Sequence, residues 1–306
     1  MKPVDSSDSL TRPAGTRSRK PKMLIFSEGY VTEVDYFTAL CDWVRSTSCE
    51  ILADVVVMQR YTKQIGYSDP LNIVRLVDDY LRMIRTGKYS KLLFISKVLE
   101  SVYSIDPDKS KSEKELLMAI ETVLEADGHT DENDNINSYS RAMDDVEAAL
   151  KSQFSIDEFE VIRDEVDYDE EIDKICIVVD RDGDGRDKGR YNGFIEGCDE
   201  RDYLPFVTNP KFELWMLLHY DISDSIELLR DPLKYKSTMR GLGKKYGIES
   251  KKIEHSTLIP KIPHAVEQVK LLCTKLSCLE SERGSNLGDL MQRLGLVGGS
   301  AHDPDL

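Results

Sequence analysis

Apolar positions first gather at Lys22 to Ser27 (KMLIFS), a short continuous run closed by Glu28-Gly29. A run of that length, without helical spacing and ending in a turn signal, predicts a buried β-strand. From Thr32 to Arg45 the spacing changes. Phe37, Leu40, Cys41 and Val44 recur every three or four residues, behind a Thr32 that can cap and the acids Glu33 and Asp35 in the first turn. That pattern predicts a helix. Ala53 to Met58 (ADVVVM) predicts a second strand. Pro70 to Arg85 predicts a second helix, with Ile73, Leu76, Val77, Tyr80, Leu81 and Ile84 on one stripe. A chain that opens β-α-β-α follows the grammar of a parallel sheet. Lys91 to Ile95 (KLLFI) fits either a third strand or the end of a core helix.

Glu113 to Leu124 and Ser138 to Phe154 read as two amphipathic helices joined by a polar loop, Asp127 to Asn137. Lys174 to Val179 (KICIVV) is β-branched and unbroken, and predicts a buried strand ending at Asp180. The loop DRDGDGRDKG follows, then a helix to Asp199 and a strand from Tyr203 to Val207. Asn209 is placed to cap a helix from Lys211 to Tyr220, with Pro210 at its first position. The remainder reads as mostly helical, and no internal repeat is present. The expected organisation is a polar tail over 1–21, an α/β core over 22–97 and 174–220, and an acidic helical insertion over 98–173. A helical C-terminal region over 221–294 and a flexible tail over 295–306 complete it.

Charge changes this picture. The 306 residues carry a net charge of −15, an unpromising balance for a partner of nucleic acids. The excess is local. Val98 to Asp173 holds 24 Asp and Glu against 6 Lys and Arg, a charge of −18, which leaves +3 for the rest of the chain. Whole-chain charge is therefore a poor guide to what the protein binds. No apolar run approaches the about 18–20 residues of a membrane span. The basic start, Thr11 to Lys22, has no apolar segment of a secretory signal, so a cytoplasmic protein is expected. Six cysteines (Cys41, Cys49, Cys176, Cys198, Cys273 and Cys278) form no C-x-x-C pair, and free thiols are expected rather than a zinc knuckle.

Candidate chemistry sits where strands end. Glu28 follows the first strand, and Gly29 lets the backbone turn. Asp180 and Asp182 follow the Lys174–Val179 strand, with Gly183 and Gly185 to bend the loop. Ligands of open α/β sheets collect outside the C-terminal ends of strands. Carboxylates crowded there suit a hard cation such as Mg²⁺, and Asp184 is a further candidate ligand. Asp180, Asp182, Asp184 and Gly185 match half of an EF-hand loop, but Tyr191 stands where its bidentate Glu is required. No G-x-x-x-x-G-K-[ST] accompanies the strand, which excludes a P-loop NTPase. Glu213 reads as a first-turn residue of its helix and His219 as a satisfied buried histidine. Lys234, Lys236, Arg240, Lys244, Lys245, Lys251 and Lys252, interleaved with Tyr235 and Tyr246, suit phosphate contact and base stacking.

These residues carry a resemblance. Ser27-Glu28-Gly29 with Thr32-Glu33 and Tyr36-Phe37 is similar to the opening motif of the RloB-like proteins, and Asp180-x-Asp182 resembles their central D-x-D. Asn209-Pro210-x-Phe212-Glu213-Leu214-Trp215-x-Leu217-Leu218-His219 resembles their most distinctive block, and Ser285-Asn286 with Leu290 echoes a C-terminal motif. The resemblance implies a Toprim fold, a four-stranded parallel sheet flanked by helices. It implies a role in bacterial phage defence, beside an ATPase partner or a restriction–modification system; with the carboxylates at the strand ends, the expected activity is a Mg²⁺-dependent nuclease, with Mn²⁺ as a substitute, acting on RNA, tRNA or DNA. A homodimer is left open. By position, Glu28 would be the acid/base or metal ligand, Asp180 and Asp182 the metal ligands, and Glu213 a residue near the site. Two other functions fit the same residues: a binding or regulatory subunit with a vestigial metal site, and a primase-like nucleotidyltransferase. The insertion over 98–173 is longer than the family pattern suggests, so its role is not inherited.

Overall fold

The computed structural model describes residues 20–29, 31–47, 51–58, 70–105, 113–126, 128–156, 168–181, 188–248 and 253–297. Nearly all of the N-terminal tail, the end of the C-terminal tail, Cys49, Asp182, Asp184, Lys251 and Lys252 lie outside them.

Five strands form one sheet in the order β2-β1-β3-β4-β5. They are β1 (Lys22–Ser27), β2 (Asp54–Met58), β3 (Lys174–Asp180), β4 (Leu204–Asn209) and β5 (Gly284–Ser285). The first four are parallel, and β5 joins the outer edge of β4 antiparallel. The four parallel strands lie where the apolar runs placed them. The architecture is mixed α/β with helices on both faces, consistent with a Toprim-like fold.

Alternation along each strand explains the two-sided burial. Leu24, Phe26, Ile175, Ile177, Val179 and Val207 face one hydrophobic cluster. It is built with α2 (Pro70–Thr86), α3 (Lys91–Ile105), α4 (Glu113–Ala126), α5 (Tyr139–Phe154) and α6 (Lys188–Asp199). Met23, Ile25, Cys176, Val178 and Phe206 face the other. That face packs α1 (Thr32–Thr47), α7 (Phe212–Leu217), α8 (Ile226–Arg230), α9 (Tyr235–Tyr246), α10 (Ile262–Val269) and α12 (Leu287–Arg293). Lys91 to Ile95 belongs to a helix, since α3 continues ten residues further and buries Leu93, Phe94, Val98, Leu99 and Val102. The acidic segment's helices bury Leu116, Ile120, Leu124, Val146 and Leu150 in the same cluster as the sheet residues.

Three local expectations change. Asn209 does not cap α7: it is the last residue of β4, and Lys211 holds the N-cap position. Its amide instead donates to Leu279 O at 2.8 Å and accepts from Arg283 Nη1 at 2.7 Å. The helix itself is shorter than expected, Phe212–Leu217, and every residue in it but Glu213 is buried. Cys273 and Cys278 are joined, with Cα atoms 6.3 Å apart, because the turn of α11 (Leu276–Leu279) folds the C-x4-C segment back on itself. Cys41, Cys176 and Cys198 are free thiols. Among the described residues no helix is long and apolar enough to cross a membrane.

Candidate functional site

Strand order decides where a ligand can sit. From β1 the chain steps outward to β2 on one side, and the later strands β3 and β4 add on the other. The order reverses between β1 and β3. The helix that follows β1 covers one face and the helix that follows β3 covers the opposite face. The C-terminal ends of these two strands are therefore the topological switch point, where open α/β sheets bind ligands in a crevice.

Glu28 and Asp180 occupy that crevice, 152 residues apart in sequence. Ser27 pairs with Val178 in the ladder, and Glu28 N–H donates to Val178 O at 2.8 Å, carrying the pairing one step past β1. Asp180 N–H then donates to Glu28 Oε2 at 2.9 Å. The Asp180 carboxylate accepts on Oδ1 from Phe212 N–H at 2.8 Å, at the head of α7. Each carboxylate is thus held by a backbone N–H from a different element, and both are half-buried.

Gly29 serves a close approach. A Cβ built there would lie 1.7 Å from Glu33 Oε2. The buried Glu33, on the first turn of α1, fills the space a side chain would need. Thr32 is itself the first residue of α1. Tyr36 and Phe37 continue the same helix into an aromatic cluster with Phe212. The opening motif and the Asn209–Tyr220 block therefore meet in three dimensions behind the two carboxylates.

Glu213 stands one residue beyond Phe212, half-exposed in the first turn of α7. His219 is not at the crevice. It is 1% exposed, and its Nδ1 donates to Trp215 O at 3.0 Å, since a carbonyl can only accept. Its Nε2 therefore accepts from Tyr36 Oη at 3.0 Å. Burial holds the imidazole down at about 4, so it is neutral and structural. Lys234, Lys236, Arg240, Lys244 and Lys245 are all exposed on or beside α9, which packs against α7. The interleaved rings are already engaged. Tyr235 is buried with Arg283 over its face, and Tyr246 stacks on Tyr220 at 4.3 Å.

Among the described residues, three metal-capable side chains gather at Cys273, Cys278 and Glu282. The two thiols there are joined to each other. Glu28 and Asp180 form a pair, and the partner expected with them, Asp182, lies outside the described residues. The donors they offer are hard carboxylate oxygens, which fit Mg²⁺ or Mn²⁺ and not a soft metal.

A profile of the RloB-like protein family matches residues 23–294. The chain belongs to this family. No curated protein and no solved structure matches it. The match takes in all four blocks of the RloB-like chain, including Ser285-Asn286, whose part the structure makes plain. Asn286 Oδ1 accepts from Val207 N–H at 2.6 Å and its Nδ2 donates to Pro205 O at 2.9 Å. Its side-chain amide stands in for a neighbouring strand on the edge of β4. Ser285 and Thr208 join their hydroxyls at 2.9 Å alongside. One residue of this RloB-like site had no role in the sequence reading: Arg181, buried between the two aspartates of D-x-D. Its signal was alternation, because a charge in register with Ile175, Ile177 and Val179 must point toward a covered face.

Proposed function

We propose that this RloB-like protein is a Mg²⁺-dependent nuclease with a Toprim-type site, hydrolysing phosphodiester bonds of RNA, tRNA included, or of DNA as an effector of bacterial phage defence. What supports this reading most is the junction of Glu28 and Asp180 at the crevice between β1 and β3. Glu28 and Asp180 would hold the cation, with Asp182, and Asp184 beside it, completing a carboxylate set. The bound ion supplies charge neutralisation at the scissile phosphate and a lowered pKa for a water.

The chain's own residues supply the rest. Where Asp180 and its neighbours alone hold the cation, Glu28 is instead free to take the proton of the attacking water on its carboxylate, a general-base role worth about 10²–10⁴ in rate. Asp180 is kept in place by Phe212 N–H, so the α7 block positions the site and does not act on the substrate directly. Glu213 stands at the head of the same helix. The exposed lysines of α9 draw in the polyanion. The acidic segment offers a docking surface for an ATPase partner that controls access.

The acidic segment also favours a second reading, a binding or regulatory subunit whose carboxylates no longer catalyse. One assay separates the two. Plasmid, single-stranded DNA and total tRNA are incubated with Mg²⁺, Mn²⁺ or EDTA, beside Glu28→Gln and Asp180→Asn. Cleavage that needs the metal and is lost in both variants supports the nuclease and names its substrate. Phage defence retained by Glu28→Gln, with no cleavage by the wild type, supports the subunit.

A further inference from the structure

Arg181 is 6% exposed, yet its Nε and one Nη make no hydrogen bond. Buried guanidinium groups are nearly always paired, because an uncompensated charge is expensive to remove from water. Among the described residues, the surrounding groups do not pair it. Its guanidinium lies over the ring of Tyr191, 5.3 Å from the centroid, a contact that leaves the N–H edge unsatisfied. The Tyr191 hydroxyl donates to Leu276 O at 2.7 Å, and burial pushes the phenol up to about 12, so it brings no negative charge. Glu280, on the same side, is matched with Lys188 at 3.4 Å. The Asp180 carboxylate is turned to Phe212 N–H.

The guanidinium also has a place in the fold. Arg181 N–H donates to Thr208 O, so the residue sits at the C-terminal end of β3 beside the Glu28–Asp180 crevice. Tyr191, beneath it, belongs to the opening of α6, a twelve-residue helix with no acidic residue in its first turn. The start of such a helix presents N–H groups and a positive dipole end. A buried fork of donors beside a helix start, where the neighbouring carboxylate among the described residues, Glu280, is already matched with Lys188, describes a site for an oxyanion. The Nε and Nη edge matches two oxygens of a phosphate.

We propose that Arg181 and the first turn of α6 form a phosphate-binding site that holds a phosphate of the nucleic-acid strand engaged at the Glu28–Asp180 pair. The strand assignment rests on the nuclease reading; the phosphate site itself does not.

The test uses the full chain, Arg181→Met and Arg181→Lys, with EDTA throughout so that neither metal nor turnover contributes. Thermal unfolding is followed in inorganic phosphate against chloride at equal ionic strength, and affinity for a short labelled single strand by fluorescence anisotropy. Phosphate should raise the Tm of the wild type and leave that of Arg181→Met unchanged. Strand affinity should fall roughly 10- to 100-fold in Arg181→Met and by less in Arg181→Lys, which keeps the charge and loses the fork. In chloride, Arg181→Met should be at least as stable as the wild type, because it removes an unpaired buried charge. If Arg181→Met fails to fold, weakened strand binding by Arg181→Lys still supports the site. Wild-type binding of both probes by Arg181→Lys and by any folded Arg181→Met overturns it. A phosphate-dependent Tm with unaltered strand affinity assigns the site to a free phosphate and overturns the strand assignment. Absence of cleavage on every substrate, with Arg181-dependent phosphate binding intact, removes the nuclease reading and leaves the site standing.

Discussion

Gly29 lacks a side chain because Glu33 fills the space one would need. The consequence is testable as a coupling. Gly29→Ala should destabilise the protein by about 1–3 kcal/mol through overpacking. In a Glu33→Ala background the same change should be nearly neutral, and urea unfolding of the four proteins in a double-mutant cycle reads the difference. Equal cost in both backgrounds would mean that Gly29 is required for its backbone and not for its neighbour. Asn286 is a second residue whose work is local. Its amide satisfies both Val207 N–H and Pro205 O. Asn286→Ala takes this partner from the buried Val207 N–H and the part-buried Pro205 O, and a loss of about 1–3 kcal/mol is expected. Asn286→Asp should be nearly as harmful, since it can still accept but cannot donate. Urea midpoints check both.

At the scale of elements, α7 is the part on which the site depends. It is only six residues long, too short to be stable alone. It persists because Phe212, Leu214, Trp215, Met216 and Leu217 are buried on all sides, as a helix apolar all round must be. Its first N–H to point at the crevice holds Asp180, and its far end is fixed by His219 against Tyr36. That fixation depends on pH. The buried imidazole sits at about 4, against 6.5 for the exposed group. Between those values the unfolded chain binds more protons than the folded one, so stability rises with pH across the window. The contribution is complete above 6.5 and is lost as pH falls toward 4, about 3 kcal/mol in all. His219→Gln should flatten this part of the stability-against-pH curve. Unfolding free energies measured every half unit between pH 4 and 7 would show it, and an unchanged slope would count against the assignment.

For the whole molecule, charge is segregated by element. Lys244 and Lys245 are exposed on α9, on the face of the sheet that packs α7. Exposed acids such as Asp144 and Glu147 lie on α5, which packs on the opposite face. Opposite effects on nucleic-acid binding follow. Lys244→Glu with Lys245→Glu should weaken binding and lower the slope of log affinity against log salt by about 2. Asp144→Asn with Glu147→Gln should strengthen binding at low salt and lose that effect as the Debye length shrinks. Both pairs are at the surface and should shift stability by less than about 0.5 kcal/mol each. Anisotropy titrations over a range of salt concentrations measure both. A loss of binding from the acidic pair would show that α5 takes part in recognition instead of opposing it.

What the sequence determined by itself is what local periodicity and strand-end chemistry can carry. Lys22–Ser27, Ala53–Met58 and Lys174–Val179 read as strands because continuous apolar runs bounded by turns have few other solutions. The helices α1, α2, α4 and α5 read as helices because their apolar residues recur with the helical period. Glu28 and Asp180 stood out as carboxylates at strand ends. Tertiary structure decided the rest. It made Lys91–Ile95 part of a helix, since a short apolar run has no period of its own and takes the form its packing allows. It kept Asn209 in β4, because two side-chain bonds to residues more than 65 positions away outweighed a local capping preference. It joined Cys273 to Cys278 and placed β5 on the edge of β4. Above all it brought Asp180 to Glu28 across 152 residues, and it buried Arg181 beside them with its Nε and one Nη unbonded. Periodicity reports the face a residue turns to. Only the folded sheet, which sets strand order and register, reports which residue meets it there.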